Sequence, residues 1–149
     1  MQFQELQVLN LGKNKLSGKI PIGNPEPCVI AFKGNNFSGE LPSLENCTNL
    51  LMVDLGNNNL SGKIPIWIGQ SLTNLVILTL RSNQFNGIIP FSLCSLVTIH
   101  VLDLSHNNIS GGLPHCFSNI TSLADDSRFD GFIVELVWKR IEIEWGKKS

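Results

Sequence analysis

Residues 99–114 read IHVLDLSHNNISGGLP, and the order of their apolar residues, asparagine, glycine and proline decides the fold. Ile99, Leu102 and Leu104 lead to Asn107 and Ile109, and then to Gly111 and Pro114. The same order occurs four more times upstream: LQVLNLGKNKLSGKIP from Leu6, PCVIAFKGNNFSGELP from Pro27, LLMVDLGNNNLSGKIP from Leu50 and LVILTLRSNQFNGIIP from Leu75. The aligned asparagines Asn14, Asn35, Asn58, Asn83 and Asn107 stand 21, 23, 25 and 24 residues apart.

A unit of this length, written L-x-x-L-x-L-x-x-N-x-L, is the signature of a leucine-rich-repeat solenoid, an α/β stack of right-handed coils. Each unit opens with a short parallel strand on the concave face, and in the first unit Leu6, Leu9 and Leu11 point inward while the residues between them face out. The five aligned asparagines then turn the chain, because an amide both donates to and accepts from backbone groups that a tight coil leaves unpaired. Stacked, they form a ladder that satisfies buried backbone polar groups. Leu16, Phe37, Leu60, Phe85 and Ile109 follow two residues later as an apolar spine.

The segment S-G-x-I-P comes next. Gly18, Gly39, Gly62, Gly87 and Gly111 mark a sharp bend or positive φ. Five of the seven prolines (Pro21, Pro42, Pro65, Pro90 and Pro114) follow them. A proline lacks an amide donor, so this second short strand is expected to pair only partly and to lie at an edge. The convex side is 3₁₀-like or irregular. WIGQSLTNL supplies a helical or 3₁₀ turn anchored by Trp67, Ile68, Leu72 and Leu75. The second unit is irregular, with Pro27 in place of a leucine, and a kink or disorder is expected around Gly23–Cys28.

The 149 residues divide into 1–123, five repeats without an N-terminal cap, and 124–149, a polar linker followed by FIVELVWKRIEIEW, a strand-like segment with apolar groups on both faces. About three repeats suffice for a stable stack, so five can hold together. The net charge of −1 excludes a basic nucleic-acid footprint. No apolar run approaches the roughly 18 residues of a membrane span, so no direct membrane contact is expected. The first twenty residues lack the charged start and unbroken apolar core of a signal peptide. Repeat consensus begins at about the sixth residue, which reads as a fragment of a longer chain.

The S-G-x-I-P inserts LSGKIP, FSGELP, FNGIIP and ISGGLP resemble those of plant-specific leucine-rich repeats. More narrowly, ELPSLENCTNL, IPIWIGQSLTNLVILTLRSNQFNGIIP and LDLSHNNISGGLPHCFSNITSL resemble the last repeats before the island region of plant receptor-like proteins of the elicitor and xylanase-receptor type. The tail VELVWKRIEIEW is similar to the start of that island, without the family's glycine at Arg140. The resemblance covers roughly residues 5–145. It implies an extracellular, plasma-membrane-associated recognition module for a protein or peptide ligand in defence or developmental signalling, with a co-receptor kinase as a further partner in the full-length family. Secreted inhibitors of microbial pectin-degrading enzymes use the same repeat class, so an inhibitor or scaffold is the alternative, as is a truncated product without activity of its own.

The candidate ligand-binding residues are the outward positions of the leading strands and the turns after them: Lys13, Lys33, Asn57, Arg81, Ser82 and His106. Coils about 4.8 Å apart make a strip roughly 20 Å long. Lys33, Arg81 and His106 give it a basic lane suited to an acidic loop or a peptide carboxylate. Asp54 and Asp103 are expected to support their own coil's backbone. Sequons for N-glycosylation stand at Asn36, Asn46, Asn59, Asn108 and Asn119. Cys28, Cys47, Cys94 and Cys116 read either as isolated thiols or as including a bridge between neighbouring coils, Cys94 with Cys116 being one such pairing. The three histidines are dispersed, and the chain shows no phosphate loop and no close His/Cys spacing. Neither catalysis, a metal nor a cofactor is expected.

Overall fold

The computed structural model describes residues 8–10, 12–20 and 29–119. The expected kink at Gly23–Cys28, the inward Leu6 and Leu11, Cys28 and the whole of 124–149 lie outside the described residues.

Two parallel sheets run along the stack, each taking one strand from every coil. The concave sheet holds β1 (Val8–Asn10), β3 (Val29–Ala31), β5 (Met52–Asp54), β7 (Ile77–Thr79) and β9 (Val101–Asp103) in that order. Its register aligns Leu9, Ile30, Val53, Leu78 and Leu102, one residue per coil. Ile30, Val53, Leu78 and Leu102 are buried, as are Phe32, Leu55, Leu80 and Leu104 two residues later. This is the alternation that a half-buried strand imposes on its sequence.

The second sheet holds β2 (Ser17–Gly18), β4 (Asn36–Gly39), β6 (Asn59–Lys63), β8 (Gln84–Gly87) and β10 (Asn108–Ile109), again coil against coil. The expectation of partial, edge-only pairing is therefore corrected. Each strand ends before its proline, so the missing proline amide removes no ladder bond. The prolines act one step later: the carbonyls of Pro65, Pro90 and Pro114 accept the amides of Ile68, Leu93 and Phe117 at 3.3, 3.1 and 3.1 Å and so open the convex turns.

Those turns are α1 (Trp67–Ser71) and two 3₁₀ segments, Phe91–Ser95 and His115–Asn119. They send Ile68, Leu93 and Phe117 into the core, and Leu72 and Leu96 follow. In the preceding coil Cys47 fills the same row as Leu72 and Leu96, as a buried thiol. Gly69 is also buried, and a Cβ there would fall 1.8 Å from the Ser92 carbonyl oxygen. The missing side chain is what lets α1 lie directly on the next coil's 3₁₀ turn. That turn is in turn tied forward, because Cys94 and Cys116 form a disulfide across 22 residues with Cα atoms 5.8 Å apart.

The spine follows the expected row for Phe37, Leu60, Phe85 and Ile109, all buried. Leu16 departs from it at 39% exposure. The asparagine ladder is more specific than a stack of amides. Asn35, Asn58, Asn83 and Asn107 each accept, through Oδ1, an amide of the preceding coil: Leu16 at 3.2 Å, Phe37, Leu60 and Phe85 at 3.0 Å. From Asn58 onward Nδ2 also donates back to that coil, to the carbonyls of Phe32, Leu55 and Leu80, as well as to its own coil.

Candidate functional site

The residue before each ladder asparagine carries a conformational demand that the repeat pattern does not announce. Lys13, Asn57, Ser82 and His106 adopt φ of 58°, 53°, 57° and 56°, and Gly34 completes the row at 76°. Left-handed backbone disfavours any residue with a Cβ, yet four of the five positions here bear side chains. The turn fixes the direction in which those side chains leave the sheet.

Next to this row the concave sheet bears a depression of about 350 Å³. Of the six candidate residues it gathers Lys33, Asn57, Arg81 and Ser82. Lys13 and His106 share the left-handed row but do not line the depression. Lys33, Gly56 and Arg81 are consecutive in cross-strand order, an extension of the register that aligns Ala31, Asp54 and Thr79. A Cβ at Gly56 would sit 3.3 Å from Asp54 Oδ1, 3.4 Å from the Arg81 carbonyl oxygen and 3.8 Å from Lys33 Cγ. The glycine is thus a floor bounded by the Asp54 carboxylate, the Arg81 backbone and the stem of Lys33.

The depression has an acidic wall as well, from Asp54 and Asp103, with Thr79 between them. Both carboxylates are committed to their own turns, as expected. Asp54 Oδ1 accepts the Gly56 amide at 3.1 Å and the Thr79 hydroxyl at 2.6 Å. Asp103 Oδ1 accepts the amide and hydroxyl of Ser105 at 3.1 and 2.5 Å. Asp103 Oδ2 lies 3.8 Å from Arg81 Nη1, an ion pair between a nearly buried carboxylate and a guanidinium side chain 35% exposed. The lane is therefore charge-mixed: Lys33 is exposed, Asp54 and Arg81 are half-buried and Asp103 is buried. The signal for this was in the sequence: the aspartates of V-D-L and L-D-L sit one residue before the last strand leucine, within reach of the turn's amides.

Four of the sequon asparagines, Asn36, Asn46, Asn59 and Asn108, are exposed. Three of these lie on strands of the second sheet (β4, β6 and β10), on the flank reached immediately after the left-handed turn. Asn119 ends the last 3₁₀ segment, and its side chain lies outside the described residues. Among the described residues no group of three His, Cys, Asp or Glu side chains is placed to hold a metal ion. None of their helices is long and apolar enough to cross a membrane.

Comparison with known proteins gives consistent matches. Residues 1–108 match the family model described as the EGF-like domain-containing protein ComC LRR domain, and residues 98–120 match the Leucine Rich Repeat model. Receptor like protein 21 of Arabidopsis thaliana is 40% identical over 118 residues, covering 76% of this chain. The chain spans 12% of the length of the curated relatives it matches. Among solved structures, the plant peptide hormone receptor RGFR1 in complex with RGF2 superposes with a TM-score of 0.74 at 37% identity, over 79% of this chain and 19% of that one. The Arabidopsis receptor kinase HAESA, in complex with the peptide hormone IDA and the co-receptor SERK1, gives a TM-score of 0.70 at 36% identity, over 80% of this chain and 20% of that one.

Proposed function

This chain belongs to the leucine-rich-repeat family, among the plant receptor-like proteins, and on that premise we propose that it is an extracellular recognition module whose concave sheet binds a peptide or a protein loop. The observation that carries the reading is the depression on the concave sheet, where outward-facing Lys33, Asn57, Arg81 and Ser82 stand on a backbone fixed by the ladder. Binding energy is not spent on ordering such a surface, so affinity follows from complementarity of shape and charge. Relatives of the same fold support a peptide ligand, since RGFR1 and HAESA were solved with peptide hormones bound. The SERK1 partner in the HAESA complex supports a co-receptor kinase as a second contact. The intercoil disulfide fits an oxidising compartment, and hence the extracellular side of the plasma membrane. Glycans at the sequons would flank the sheet and leave its concave face open. Defence or developmental signalling is the biological role, and the island-like tail speaks against a secreted inhibitor.

A glycan wedge tests the reading. Ser82→Asn with Gln84→Thr creates a sequon on the concave rim, and asparagine tolerates the left-handed backbone that position requires. The secreted, glycosylated chain is screened against one-bead libraries of random dodecapeptides, and the peptides retained are retested on the wedge variant. Loss of all binding, with an unchanged circular dichroism spectrum, is the expected result. Peptides that bind the wedge variant as well as the parent would place recognition elsewhere.

A further inference from the structure

We infer that the outward face of the last concave strand is a docking surface for this chain's own segment FIVELVWKRIEIEW, residues 132–145. The sign of it is a step in exposure along the sheet. Val29, Met52, Ile77 and Val101 stand side by side in the register, one from each coil. The first three are half-buried, whereas Val101 is buried, at 8% exposure. In the row before it Leu51 is exposed, Val76 half-buried and His100 buried, the His100 amide bonding to the Val76 carbonyl. Asp103 is also more buried than Asp54 and Thr79, but Arg81 and Ser105 shield it in part, so Val101 and His100 are the sharper markers. Strand β9 ends the sheet order. An end strand with one neighbour should be the most exposed of the row, and here it is the least.

One more regular coil does not account for the step. Ile77 has a coil on each side and is still half-buried, because a neighbouring strand covers an edge and leaves the outward face open. The sequence also forbids such a coil. Continuing the 24-residue step puts Asp126 and Arg128 at the core positions of Leu102 and Leu104, where unpaired charges are not tolerated. The cover therefore lies on top of the face. The structure is that of a single chain, so the cover comes from this chain, beyond the described residues. Residues before β3 belong to the first two coils, three or four strand spacings from β9, which is roughly 14 Å or more. The chain after Asn119 leaves from the coil of β9 itself.

Within that stretch ADDSRFDG, residues 124–131, is mostly polar and has little to offer an apolar row. Residues 132–145 carry apolar groups on both alternations, Ile133, Val137 and Ile141 on one, Val134, Leu136 and Trp138 on the other. Apolar surface of that extent calls for a cover, and the row of Ile77 and Val101 supplies one. The twelve residues 120–131 reach up to about 40 Å when extended, enough to pass from the convex turn to the concave face. The cover stops short of the left-handed row and of the third coil, because His106 and Leu51 are exposed. A concave ligand thus meets β3, β5 and β7, and the docked segment bounds its surface at β9.

The three histidines report on the cover in the full 149-residue chain. His100 is buried, its Nε2 included, whereas His106 and His115 are exposed. Modification by diethyl pyrocarbonate, read by mass spectrometry, is expected to be at least about tenfold slower at His100 than at the other two, since it waits on local opening. Two paired variants address the occupant: Leu136→Asp with Trp138→Asp, and Val137→Asp with Ile141→Asp. At least one pair is expected to raise the His100 rate about tenfold, with His106, His115 and the circular dichroism spectrum unchanged. Val101→Asp is the reciprocal change and should accelerate tryptic cleavage after Lys139 and Arg140, while Met52→Asp, in the same row two coils away, should not. The segment variants carry the test if the Val101→Asp protein fails to fold. His100 as reactive as His106 in the parent overturns the cover. A slow His100 that neither pair releases gives the face to residues 120–131, and protection lost on dilution gives it to a second copy; either result overturns the assignment. None of these readouts involves a ligand, so they are decided separately from peptide binding.

Discussion

Asn83 illustrates how much of the coil depends on one amide. It is buried, accepts the Leu60 amide at 3.0 Å, and donates to the carbonyls of Leu55, Leu80 and Arg81 at 2.9, 3.1 and 3.3 Å. Asn83→Ala leaves the Leu60 amide unpaired inside the stack, at about 1–3 kcal/mol for a buried group, while the carbonyls of Leu55, Leu80 and Arg81 keep donors from Asn58, Asn107 and the Asn57 amide. A drop of about 1–3 kcal/mol in urea-unfolding free energy is expected, against less than about 1 kcal/mol for the exposed Asn14→Ala. Equal losses at the two positions would refute the ladder as a source of stability. The neighbouring residue acts in the opposite direction. Ser82 has φ of 57°, a conformation that costs a non-glycine residue roughly 1–2 kcal/mol. Ser82→Gly is therefore expected to raise stability by up to about 1 kcal/mol once glycine's extra unfolded-state freedom is subtracted. A melting temperature below that of the parent would contradict this. The left-handed row was not legible in the repeat pattern, since lysine, asparagine, serine and histidine share no chemistry. Gly34 in the same row was the only hint.

The elements pack through their exceptions. Helix α1 lies against the 3₁₀ turn Phe91–Ser95 because Gly69 has no side chain, and a methyl there would meet the Ser92 carbonyl at 1.8 Å. Backbone cannot swing aside as a flexible side chain does, so Gly69→Ala should force the two convex turns apart. About 1–3 kcal/mol is expected from overpacking of this kind, measured by thermal melting. Gly62→Ala makes a useful contrast: its closest obstacle is Glu40 Cγ at 2.9 Å, the movable part of a long side chain. Its cost should come mainly from its φ of 87°. The strands, the ladder and the spine could be read directly because each is a periodic demand repeated in every coil. The Gly69 contact, the proline carbonyls opening each convex turn and the mixed charge at Gly56 depend on which residue the next coil presents. A one-dimensional pattern carries the first kind of information and not the second. The proline rule itself was right, but it applied to a residue just beyond the strand.

At the scale of the molecule, stability is divided among coils, each coupled to its neighbours. The Cys94–Cys116 disulfide joins the convex turns Phe91–Ser95 and His115–Asn119, a pairing the sequence allowed without deciding. Opening a loop of 22 residues removes about 3 kcal/mol by the chain-entropy estimate. With Cys94→Ser and Cys116→Ser together, amide exchange at Leu93 and Leu96 should accelerate strongly, while that at Leu55, two coils away, changes little. A uniform acceleration would mean that the stack unfolds as one unit. The ladder adds a direction to this coupling. The amides of Phe37, Leu60 and Phe85 find their acceptors on asparagines 21, 23 and 22 residues downstream. On the ribosome, then, no coil is finished when its own last residue emerges. Its backbone stays wet until the following coil has been synthesised, and the growing solenoid always trails translation by one turn.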